Sequence, residues 1–75
     1  MNTKINVHSK IRQIRESKNY SQEYMALKLG ISQNAYSKTE LGHTTITLER
    51  LYEIAKILEL NILDIIGSEE KRTNY

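Results

Sequence analysis

Cysteine is absent from the 75 residues, which excludes a disulfide framework and any metal site built on thiolates. Proline is absent as well, and glycine occurs only at Gly30, Gly42 and Gly67. Each glycine follows a helical pattern, where a left-handed residue ends a helix at little cost. No apolar run approaches the roughly 18 residues that a membrane span needs. The opening "MNTKINVHSK" has no apolar stretch of the kind that directs secretion. These absences lead to the expectation of a cytoplasmic protein without membrane contact. His8 and His43 stand alone, with no partner at helical metal spacing. The serines have no His-plus-acid arrangement beside them, and no glycine-rich phosphate loop is present. Metal, cofactor and catalysis are therefore not expected.

What is present is an uneven distribution of charge. Residues 1–38 carry seven basic and two acidic side chains, a net +5. Residues 39–75 carry four basic and seven acidic ones, a net −3. The basic half suits a polyanionic partner, although segregated charge also occurs on ordinary soluble surfaces.

Five helical segments follow from periodicity. Val7, Ile11 and Ile14 form one apolar stripe, and Asn19 is a suitable terminator. Ser21 is an N-cap type, after which Met25, Ala26 and Leu29 share an arc that Glu23 and Lys28 avoid. Ser32 opens a third segment with Gln33, Asn34, Ser37 and Lys38 on one side and Ala35, Tyr36 and Thr39 on the other. Thr47 opens a fourth, with Leu48, Leu51, Ile54, Ala55 and Leu58 inward. Asn61 precedes a short fifth, with Ile62, Ile65 and Ile66 inward. The β-branched run "HTTITL" between the third and fourth segments reads more easily as a loop than as a strand. The reading is an all-α domain of five helices over residues 7–67, with flexible termini at 1–6 and 68–75.

Two short helices about the turn "GIS" make a helix-turn-helix pattern. The stretch "SQEYMALKLGISQNAYSKTELG" resembles the DNA-binding motif of the phage repressor and Cro type, the XRE-like family. The likeness continues into "LYEIAKILEL" and rests on Arg15, Gln22, Ala26, Gly30, Glu40 and Gly42. It implies a lambda-repressor-like bundle that binds double-stranded DNA as a homodimer. Residue roles follow by matching positions. Gln33, Asn34, Ser37 and Lys38 match the base-reading face, and their chemistry suits adenine and guanine edges. Gln22 matches a phosphate-binding position at a helix N-terminus. His43, Thr44 and Thr45 fall where relatives touch phosphate through hydroxyls and backbone N–H groups. Arg15 and Glu40 match an internal ion pair.

Three positions depart from the family pattern. Tyr36 replaces a smaller aliphatic residue and is expected either to tilt the recognition helix or to send its hydroxyl to phosphate. Thr39 replaces a larger apolar residue, and Leu41 stands at a commonly polar position. Ile46, Ile57, Leu63 and Ile66 are the expected twofold interface, and Tyr24 with Leu27 is a candidate surface for a protein partner. The resemblance implies a transcriptional regulator, in the first place a repressor on a palindromic operator. An antitoxin or controller protein acting on a neighbouring gene stays open, as does an interaction module of the same fold without DNA binding.

Overall fold

Short helices need good ends, because their unpaired backbone groups are a large fraction of the whole. The computed structural model describes residues 7–70, the last four by backbone alone, and every helix in it has such an end. The elements are α1 (Val7–Ser17), α2 (Gln22–Leu29), α3 (Gln33–Glu40), α4 (Leu48–Ile57) and α5 (Ile62–Glu70). Ser21, Ser32 and Thr47 each accept a hydrogen bond from the backbone N–H three residues on. At α5 the Asp64 carboxylate reaches back 2.9 Å to the Asn61 N–H, half of a capping box.

The C-termini of the first four helices share one device. A residue one or two positions past the helix is left-handed, at Asn19, Gly30, Gly42 and Glu59. In each case the next residue's N–H bonds the carbonyl five residues earlier, as in Tyr20 to Arg15, Ile31 to Ala26, His43 to Lys38 and Leu60 to Ala55. This is the Schellman arrangement. Gly67 plays no such part, because α5 continues through it to Glu70. The backbone of residues 68–70 continues α5, while residues 1–6 and 71–75, the rest of the expected flexible termini, lie outside the described residues.

The buried core joins Ile11, Met25, Ala26, Tyr36, Leu51, Ile54, Ala55, Leu58 and Ile65. It draws one or more side chains from every helix. No strand occurs among the described residues, and "HTTITL" is a loop running into α4. Helix α3 packs against α1 and α2, while α4 packs against α2 and α5. Helix α3 thus takes its helix packing from α1 and α2.

Two inward assignments fail. Leu48 is 62% exposed. It is the first residue of α4, and the wheel angle that it shares with Leu51 and Leu58 does not supply a neighbour at that end. Ala35 is also exposed, so α3 is held by Tyr36, Thr39 and Glu40 instead.

Candidate nucleic-acid interface

Glu40 is the fixed point of the site. Its side chain is only 1% exposed, and a buried carboxylate needs partners for its roughly four acceptor positions. Arg15 of α1 supplies two, with Nε 2.6 Å from Oε2 and Nη2 3.1 Å from Oε1. The Tyr36 hydroxyl, one turn earlier on α3, donates to Oε2 at 2.5 Å. Gln22, the first residue of α2, donates its amide to Oε1 at 3.2 Å. Arg15 also donates to the Tyr20 carbonyl at 2.7 Å, beyond the left-handed Asn19. Three side chains from three helices thus close on one carboxylate.

The electrostatics follow from this geometry. Burial pushes the Glu40 carboxyl up, but donors from Arg15, Tyr36 and Gln22 outweigh it and hold the group below the usual carboxylate range. The bond to Glu40 raises the Arg15 guanidinium above its ordinary value. Burial, then the bond to the carboxylate, pushes the Tyr36 hydroxyl well above the ordinary phenol range. Glu40 and Arg15 are therefore charged and Tyr36 neutral at physiological pH. Tyr36 is fully buried, so its hydroxyl does not reach phosphate. That alternative fails because the nearest strong acceptor lies one helical turn away, inside the fold.

On the opposite side of α3, Gln33, Asn34 and Lys38 are exposed and Ser37 is half-buried. An open groove of about 430 Å³ runs between this face, the following loop and the start of α4. It brings Asn34 and Lys38 together with Thr44 and Thr45, and adds Ser32, Thr47 and Arg50. Gln33, Ser37 and His43 do not line it, and Gln22 sits at the separate Glu40 cluster. The backbone N–H of His43 is spent on Lys38, which leaves its exposed ring as the part free for an outside group. Arg50 had no place among the expected site residues. Its position in the first turn of an acidic-faced helix hides it, and its Nη1 lies 2.9 Å from Glu53, leaving other guanidinium donors over.

The departures from the family pattern resolve as follows. The Thr39 hydroxyl bonds the Ala35 carbonyl at 3.2 Å, so a polar residue is satisfied within its own helix. Leu41 caps α3 and is exposed. Of the expected interface, Leu63 is 65% exposed, whereas Ile46, Ile57 and Ile66 pack partly on their own core. Tyr24 is half-buried against the Tyr20 ring, centroids 4.7 Å apart, with Lys28 above it. Only Leu27, at 76% exposed, is free of such contacts in that pair.

Comparison with known proteins accords with this geometry. A family model described as "Helix-turn-helix" matches residues 11–65. The chain is 35% identical over 63 residues to the HTH-type transcriptional activator BcrR of Enterococcus faecalis, covering 84% of this chain and 31% of that protein. It is 29% identical over 63 residues to the HTH-type transcriptional regulator AnsR of Bacillus subtilis (strain 168), covering 84% of this chain and 54% of that protein. The match therefore spans about a third to a half of these relatives' lengths. The crystal structure of the clp gene regulator ClgR from C. glutamicum superposes with a TM-score of 0.82 over 99% of this chain and 96% of that one, at 16% identity. That likeness concerns the fold. With the two capped helices, the glycine turn and the matched span taken together, the chain belongs to the XRE-type helix-turn-helix family of DNA-binding proteins.

Proposed function

We propose that this protein is a sequence-specific transcriptional regulator that binds duplex DNA through α3. The observation that carries the reading is the division of α3 into two faces. Tyr36, Thr39 and Glu40 are buried, while Gln33, Asn34 and Lys38 are exposed, the last two on a groove that mixes hydroxyls and the cations Lys38 and Arg50 with Ile31, Ala35 and Ile46. A helix that projects polar side chains without packing them suits entry into a major groove. Gln33, Asn34, Ser37 and Lys38 read bases in this account. Gln22, His43, Thr44 and Thr45 hold phosphates, and Arg50 joins them from α4. The basic half of the chain supplies steering and salt-sensitive affinity.

The protein acts in the cytoplasm as a homodimer on a palindromic operator, with two recognition helices about 34 Å apart. The exposed Leu63 supports such a contact, with Ile46, Ile57 and Ile66 offering partly open edges. No helix among the described residues is long and apolar enough to cross a membrane. Repression is the proposed sense, since occupying an operator that overlaps a promoter suffices for it. A reporter behind the selected operator tests this, and a rise in output when the protein is supplied reverses the sense.

The decisive experiment selects binding sites from random duplex DNA and then follows affinity against salt. One enriched, two-half-site sequence is expected, bound more weakly as salt rises. Absence of any enriched sequence would remove the regulator reading.

A further inference from the structure

We infer that Tyr36 is a positioning residue for DNA binding, whose buried hydroxyl sets the orientation of the Gln22 amide through Glu40. The inference rests on the proposed phosphate role of Gln22 and adds a residue that touches no DNA. A glutamine amide is symmetric in shape and can present either its oxygen or its nitrogen. Only the nitrogen side attracts phosphate. In this structure the choice is made by Glu40, because Gln22 Nε2 donates to Oε1 at 3.2 Å. That contact uses one of the two amide hydrogens and leaves the second to an outside acceptor.

Glu40 holds this orientation while its other oxygen carries two donors. Tyr36 and Arg15 both donate to Oε2, at 2.5 Å and 2.6 Å, and Arg15 also shares Oε1 with Gln22, its Nη2 at 3.1 Å. With the hydroxyl removed, Oε2 keeps Arg15 alone in a buried setting, while Oε1 keeps two donors. The Gln22 amide then gains by crossing to the emptied position on Oε2. That movement turns the amide away from the phosphate side. Tyr36 and Glu40 also lie one turn apart on α3, whose outer face carries the base-reading residues. The hydroxyl thus sets a phosphate contact on α2 in register with base contacts on α3.

The test compares the full chain with its Tyr36→Phe, Gln22→Ala and doubly substituted forms. Nuclear magnetic resonance of free protein reads the Gln22 side-chain amide, with exposed Gln13 and Gln33 as internal references. Binding is measured on the selected duplex and on a scrambled one. Tyr36→Phe should move the Gln22 amide resonances toward those of Gln13 and Gln33. It should also weaken both duplexes equally, by about threefold to tenfold as for loss of one hydrogen bond. Added to Gln22→Ala, it should cost little more. Unmoved Gln22 resonances, or losses that simply multiply, overturn the inference. If Tyr36→Phe does not fold, the wild-type spectrum decides, since a Gln22 pair matching the two references leaves nothing for Tyr36 to position. Failure of wild type to select any duplex removes the DNA reading, whereas the amide resonances test Tyr36 without DNA.

Discussion

Single residues in α3 have separable jobs, and substitutions should separate them. Gln33→Ala and Lys38→Ala should each relax base preference by about 1–3 kcal/mol, measured as the affinity ratio of selected to mismatched duplex, with unchanged thermal midpoint. Gln22→Ala should instead weaken all duplexes alike. Backbone conformation makes equally local predictions. Glu59 is left-handed at φ 63°, a conformation that carries a penalty for any residue with a Cβ. Glu59→Gly should raise unfolding free energy by about 0.5–1 kcal/mol in urea titration. Gly42→Ala should do the reverse. It would carry φ 82° and place a Cβ 2.7 Å from His8 Nε2, so the histidine ring must move aside. The sequence announced Asn19 and Gly42 as helix ends because asparagine and glycine tolerate that conformation. Glutamate gives no such notice, and Glu59 was invisible for that reason.

At the scale of elements, the Glu40 cluster joins α1, α2 and α3, and its charge states set a pH window. Glu40 is held below its ordinary value, so the unfolded chain takes up its proton first. The stability it contributes is full above the unfolded carboxyl value of about 4.3 and is lost as pH falls below it. Tyr36 is displaced upward, so its contribution is full below the unfolded phenol value of about 10 and declines as pH rises beyond it. Urea midpoints across pH should show both limbs. Glu40→Gln should flatten the acid limb and destabilise the fold by about 3 kcal/mol, because it leaves buried Arg15 with only the exposed Glu16 carboxylate, 3.7 Å away, as counter-charge. Much of this element logic was readable beforehand. N-cap residues and periodicity located all five helices, and the outer face of α3 followed from its angle. The purpose of Tyr36 did not, since a wheel reports direction and not the distance to a hidden acceptor. Leu48 failed for a related reason, because angle alone does not say where a neighbouring helix stops.

For the whole molecule, charge and symmetry make the predictions. The excess of positive charge in the first half should give a linear fall of log affinity with log salt, with slope near −0.9 per phosphate neutralised. Leu63→Asp should shift sedimentation toward monomer and weaken binding to a two-half-site duplex more than to a single half-site. The division within α3 also bears on how such a protein changes its target. Gln33, Asn34 and Lys38 are exposed, while Tyr36 and Glu40 are anchored inside. Point substitutions at the outer positions can therefore drift from one operator to another at almost constant foldedness. Transplanting a whole recognition helix is a different matter. A donor segment without the tyrosine and glutamate would strip Arg15 of its buried carboxylate and leave it the exposed Glu16 and the Tyr20 carbonyl alone, and the recipient would lose its scaffold before it acquired a new target.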